Sequence, residues 1–257
     1  MKIAVLCYPT HGGSGVVASE LAIGLVERGH EVHIVSYATP FRLQGFHPNM
    51  YVHEVGFATY PLLKYPPYAL ALATKLVDLA ESFHLELIHA HYAMPHATSA
   101  YLAKQIMRSQ GIKTVTTLHG TDITLVGADA SFQKVIKFAI EESDGVTAVS
   151  EYLRKRTIEE FGIKREIRVI SNFINPGRPA VSRNDSLRAT YAPNGEKILM
   201  HASNFRPVKR TEDVVRVFAQ VQQTVSSQLL LAGEGPEIRK VQQLVADLGL
   251  GDKVHFL

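Results

Sequence analysis

Four short stretches carry side chains able to bind anions or handle protons, and each follows a run of apolar, largely β-branched residues. The first is Tyr8-Pro-Thr-His-Gly-Gly-Ser-Gly15, leading into a helix-period run. Its glycines let the backbone approach a ligand closely, and a helix start there offers unpaired N–H groups to an anion. Ser14 supplies a hydroxyl, either to that anion or as the helix N-cap. Ser14 and Val17 interrupt the G-x-G-x-x-G register of a dinucleotide fold. The second stretch is His89-Ala-His-Tyr92-Ala-Met-Pro-His96. Alternation puts His89 and His91 on one side of a strand, with His96 opening the next helix. No Cys, Asp or Glu stands beside them, so the set falls short of a metal site and none is expected. The expectation is a packed His89, with His91 and Tyr92 facing a cleft.

The third stretch is Thr117-Leu-His119-Gly-Thr-Asp122. His119, at a strand's end and followed by Gly120, is placed to project into the cleft, flanked by the hydroxyls of Thr117 and Thr121. Asp122 either caps the next segment or orients His119. The fourth is Ser203-Asn-Phe-Arg206-Pro-Val-Lys209-Arg210, between a strand and a helix. Cations at a helix N-terminus oppose its dipole, and a bound diphosphate removes the conflict; the alternative is a solvated basic loop. Gly233-Glu-Gly-Pro236 is a further glycine turn, commonplace in isolation.

The elements that must hold these stretches alternate along the chain. Strand-like runs cover 3–7, 32–36, 51–55, 87–90, 114–118, 146–149 and 167–170. Helical runs cover 16–28, 68–83, 97–109, 132–142 and 151–161. Apolar strands separated by helices predict a parallel sheet covered on both faces, a doubly wound α/β domain over 1–170. Ligands of such sheets lie at the carboxyl ends of the strands. Pro and Gly density marks 171–195 as a linker. A second Rossmann-like domain begins over 196–257, with strands 197–202, 229–232 and 254–257 and helices 211–225 and 237–248. Its two and a half βα units are read as an incomplete domain, and the 257-residue chain is expected to be inactive alone.

Composition narrows the class of function. With 46% hydrophobic residues and a formal charge of +3, the chain can build a large core and has no bias towards nucleic acid. Cys7, the single cysteine, forms no intrachain disulfide and suits a reducing cytoplasm. No signal-peptide pattern or integral membrane segment is read, and homo-oligomerisation is left open.

Together the stretches His11–Gly15, His89–Tyr92, His119–Asp122, Ala148–Ser150, Asn204–Lys209 and Gly233–Pro236 resemble the family-4 retaining glycosyltransferases of GT-B fold. A narrower likeness, on Pro40–Leu43, Lys64–Pro67, Thr117–Asp122 and Ser203–Arg206, is to the family's bacillithiol branch. That branch moves N-acetylglucosamine from UDP-N-acetylglucosamine to L-malate. The resemblance implies an acceptor site of Ser14, Gly15, Tyr92, Thr117 and Asn204. It implies that His119, Arg206 and Lys209 serve catalysis, with Arg206, Lys209, Gly13, Gly233 and Gly235 on the donor. Many members carry Arg where Asn204 stands, and the family's Glu-x7-Glu segment would fall beyond Leu257. No cofactor or obligatory metal is implied; the nucleotide sugar is a co-substrate. The rival readings are a lipid or glycan acceptor, with Leu62–Tyr65 as the surface to inspect, and a non-catalytic sugar-nucleotide-binding module. A dinucleotide oxidoreductase is disfavoured, because Tyr37-Ala-Thr follows the second strand where an acidic ribose ligand belongs.

Overall fold

The computed structural model describes residues 1–10, 12–43, 45–56, 67–127, 129–174, 182 and 184–257. His11, Leu62–Tyr65, most of the Lys64–Pro67 stretch and part of the expected linker lie outside the described residues. The chain divides into two units, Met1–Pro176 and Gly177–Leu257.

The first unit holds strands β1 (Lys2–Leu6), β2 (Glu31–Ser36), β3 (Met50–Glu54), β4 (Leu87–His91), β5 (Lys113–Leu118), β6 (Gly145–Ala148) and β7 (Arg168–Val169). All pair in parallel, in the order β3-β2-β1-β4-β5-β6-β7. Its helices are α1 (Gly13–Glu27), α2 (Tyr68–Phe83), α3 (Thr98–Ile106), α4 (Ala130–Glu142) and α5 (Glu151–Phe161). On one side of β1, Ile3, Val5 and Cys7 meet Ala18 and Ala22 of α1. On the other, Ala4 and Leu6 join Ile88 and Ala90 of β4 against Leu72, Leu76, Ala100 and Ala103 of α2 and α3. Alanines at these contacts let helix and sheet approach closely, while each fully buried Leu or Ile adds about 1.5–3 kcal/mol. Burial on both sides is why β1 reads as an unbroken apolar run.

Local signals set the helix ends. Ser150 Oγ accepts the N–H of Leu153 to start α5, and Gly162 at φ 59° ends it. The segment read as linker carries a helix instead, α6 (Asp185–Tyr191). Asn184 Oδ1 accepts from Leu187 N at 2.9 Å, and Arg188 donates to the carbonyl of Glu196. The neighbouring prolines and glycines obscured this short capped turn in the sequence.

The second unit has a parallel sheet, β10-β9-β8, from β8 (Lys197–Ala202), β9 (Ser227–Ala232) and β10 (Val254–Phe256). Between them run α7 (Thr211–Val221) and α8 (Ile238–Asp247). Phe205, Val215, Phe218, Leu229, Leu231 and Val241 form its core. Helix α7 stops four residues short of the expected Val225, where the Gln222 side-chain amide instead donates to the Ser227 carbonyl. Among the described residues no helix is long and apolar enough to cross a membrane.

Candidate functional site

The chain leaves β1 towards β2 and β3, then returns to place β4 on the other side of β1. This reversal makes the carboxyl ends of β1 and β4 the topological switch point, where a crevice for ligands forms in sheets of this kind. Tyr92, the residue after β4, has φ 90°. Such a conformation costs a non-glycine residue about 1–3 kcal/mol and persists only when its surroundings enforce it. Here the Tyr92 N–H donates to Thr117 O at 2.9 Å, and its hydroxyl donates to Ser14 Oγ at 2.6 Å. Ser14 is thus not the N-cap of α1. Gly12 occupies that position without a side-chain cap, and Ser14 stands in the first turn. Since Ser14 Oγ accepts from Tyr92, its own proton is left for another acceptor. A Cβ on Gly15 would lie 2.6 Å from Tyr8 O and 2.7 Å from Thr10 O, whereas one on Gly13 meets nothing within 4 Å.

Beside this crevice, three imidazoles stack. Ring centroids are 4.7 Å apart for His89–His91 and 5.0 Å for His91–His119, and Tyr92 lies 5.3 Å from His119. His91 Nδ1 and His119 Nε2 are 2.8 Å apart. His89 Nε2 bonds Thr117 Oγ1 at 2.7 Å, and Thr117 Oγ1 bonds Thr147 Oγ1 at 2.8 Å. Burial pushes His89, His96 and His119 down to about 4 and His91 well below its ordinary value. Near neutral pH this burial favours the uncharged rings, so His119 can offer hydrogen bonds but not a charge.

Several expectations are corrected by this packing. His91 does not face the crevice: it is only 1% exposed and sits between the rings of its two neighbours. The Thr117 hydroxyl, expected beside His119 and in the acceptor site, has His89 and Thr147 as partners. His96 does not open α3; it is buried in the preceding turn, where Nδ1 donates to His91 O. Asp122 does not cap the segment that follows it, and it holds His119 by the main chain, not by the ring. Its carboxylate accepts the N–H groups of Ala93 (3.0 Å), Gly120 (3.0 Å) and His119 (3.3 Å), tying the loops after β4 and β5 together. Burial nevertheless raises its pKa to about 6, against the lowering effect of those donors.

Tyr8, which opens the first stretch but was given no role, also belongs to this packing. Its ring packs 4.6 Å from His96 and 5.6 Å from Tyr92, and burial raises its phenol to about 12. Tyr8 directly follows the first strand pair's apolar run, and Tyr37 directly follows β2, 6.2 Å away. Among the described residues, no three His, Cys, Asp or Glu side chains converge as metal ligands.

In the second unit, Arg206 and Lys209 flank a turn over Pro207–Lys209 and are exposed, with no ion-pair partner among the described residues. Arg210 differs: at φ 50° it caps α7 and pairs with Asp213. The first turn of α7 also carries Glu212 and Asp213, so the dipole conflict expected from three cations is answered within the chain for one of them. Asn204 is exposed beside them. A Cβ on Gly235 would fall 2.3 Å from Asn204 O, and one on Gly233, at φ 123°, 2.0 Å from Ser203 O. Both glycines are demanded by the backbone of the 203–205 loop crossing over them, with Phe205 locked in the core at 0% exposure.

This architecture is that of the GT-B glycosyltransferases. The whole chain superposes on an Anabaena protein, HepE, in complex with UDP-glucose (TM-score 0.79, 21% identity, 68% of that chain). It also superposes on a glycosyltransferase from Rickettsia africae (TM-score 0.75, 20% identity, 67% of that chain). The family model for Glycosyltransferase Family 4 matches residues 11–178, and that for Glycosyl transferases group 1 matches 182–257. A curated relative, N-acetyl-alpha-D-glucosaminyl L-malate synthase of Bacillus anthracis, is 48% identical over all of this chain and 68% of its own length. The chain belongs to glycosyltransferase family 4 and is a transferase.

Proposed function

We propose that the protein transfers N-acetylglucosamine from UDP-N-acetylglucosamine to the hydroxyl of L-malate, with retention at the anomeric carbon. The observation that carries this reading is the 48% identity, along the entire chain, to a relative named for that product. The crevice chemistry supports it. Free amides at the start of α1, with the Ser14 hydroxyl, suit one acceptor carboxylate, and Tyr92 fixes that hydroxyl's orientation. Arg206 and Lys209, without an ion-pair partner among the described residues, suit a leaving diphosphate, with Asn204 adding a hydrogen-bonding side chain. As the anomeric C–O bond to phosphate breaks, the malate oxygen bonds the same face, and its proton passes to the departing phosphate oxygen. His119 orients the sugar by hydrogen bonding, and no metal is given a part. The reaction is assigned to the cytoplasm; the buried Cys7 thiol requires no oxidising compartment.

An acceptor panel tests this. The full-length enzyme is given UDP-N-acetylglucosamine with L-malate, D-malate, lactate or a polyprenyl phosphate. L-malate is expected to lead, because a site built for two carboxylates rejects an acceptor lacking one by up to about 10⁴-fold. Equal rates with lactate would remove the second carboxylate's receptor, and a preference for the lipid would sink the acceptor assignment.

A further inference from the structure

His91 is buried on β4, yet its ring nitrogen Nε2 has no hydrogen-bond partner among the described residues. The other nitrogen, Nδ1, lies 2.8 Å from Nε2 of His119. A hydrogen bond between two neutral imidazoles holds a single proton, on one nitrogen or the other. If His119 Nε2 carries it, the proton of His91 must sit on Nε2, as a buried N–H with nothing to accept it. Orphaned buried N–H groups are rare, and leaving one unmade forfeits its full desolvation. If His91 Nδ1 carries it, the orphan is merely a lone pair. His119 then accepts at Nε2, and its own proton resides on Nδ1.

We infer that His91 is a positioning residue that fixes His119 as the Nδ1–H tautomer, so that the free edge of the His119 ring presents a hydrogen-bond donor and not a base. Three further features agree with this. Burial keeps both rings neutral, so no second proton enters their bond. The stack of His89 on one side of His91 and His119 on the other holds the rings in register. Asp122 pins the main chain of His119 and Gly120, leaving the imidazole little freedom to swing away. Nδ1 of His119 has no hydrogen-bond partner among the described residues. Its ligand is an oxygen of the bound substrate, a hydroxyl or another acceptor. A base role would require the ring first to break its bond to His91. The catalytic meaning of the tautomer rests on the proposed glycosyl transfer, but its existence does not.

The test uses this chain labelled with ¹⁵N-histidine. Two-bond proton–nitrogen spectra near neutral pH report which ring nitrogen of each histidine is protonated, and His119→Gln removes the signals to be assigned. The expected result is one neutral tautomer of His119, protonated at Nδ1. Protonation at Nε2 overturns the inference. His91→Asn, whose side-chain amide replaces the Nδ1–H donor, should retain the tautomer. His91→Leu should lose it, the Nε2–H form appearing; an unchanged spectrum in folded His91→Leu also overturns the inference. The wild-type spectrum decides even where the leucine variant does not fold. Because no substrate is added, a failed acceptor panel would leave this result standing, and the reverse also holds.

Discussion

His119 stands at the end of β5 with its main chain held by Asp122, one ring nitrogen held by His91, and the other without a partner among the described residues. A side chain restrained on every edge but one is suited to meeting charge or a hydroxyl in a defined place. In the full-length enzyme, His119→Ala is therefore expected to lower kcat by about 10²-fold or more, the usual loss when a preorganised transition-state contact is removed. Steady-state kinetics check this; a change confined to KM would demote His119 to ground-state binding. Ser14, Tyr92 and His119 were legible because each follows a strand, where ligands of a parallel sheet collect. The buried pairing of His91 was not legible. Its partner is 28 positions away on another strand, and nothing in His-Ala-His distinguishes a ring facing a crevice from one packed beneath it. The same holds for Asp122, whose acceptor role reaches back 29 positions to Ala93.

At the scale of elements, the start of α1 shows how two neighbouring glycines differ in what they do. Gly15 is crossed by the carbonyls of Tyr8 and Thr10, so Gly15→Ala must push backbone aside. Its expected effect is a loss of about 1–3 kcal/mol, the range for overpacking. Gly13 has open space where a Cβ would stand, and Gly13→Ala is expected to be neutral or to stabilise by up to about 1 kcal/mol through reduced unfolded-state entropy. Urea unfolding of the two variants beside the parent measures the contrast, and equal losses would contradict it. The glycine turn after β9 follows the Gly15 pattern, since both Gly233 and Gly235 lie under the 203–205 loop. In sequence all of these glycines look alike.

For the whole molecule, histidine burial sets the acid limit. His53, His89, His96 and His119 are held at about 4, below the ordinary 6.5, by burial above all. A folded pKa lowered below the unfolded one means that the unfolded chain binds more protons between those values. Their contribution is therefore fully present above about 6.5 and is lost as pH falls towards 4. Asp122, raised to about 6, works in the opposite sense over part of that window, favouring the fold as pH falls. With five histidines, His91 among them, held below their ordinary value against one raised carboxyl, stability is expected to decline on acidification from pH 6.5 to 4. Urea midpoints measured across this range check it, and a midpoint that rises on acidification would reverse the assignment.

The sequence by itself determined the alternation of strands and helices, and hence a parallel sheet with its ligands at one edge. It also set helices such as Tyr68–Phe83 and Glu151–Phe161, because periodicity and end signals act over a few neighbouring residues. Tertiary structure decided the strand order, and with it the crevice between β1 and β4 that brings Ser14 to Tyr92 across 78 positions. It decided which histidines stack, which hydroxyls are already engaged, and that a capped helix interrupts the Asn184–Glu196 stretch. These outcomes depend on hydrogen bonds and packing between segments far apart in the chain, which leave no local period for a sequence to display.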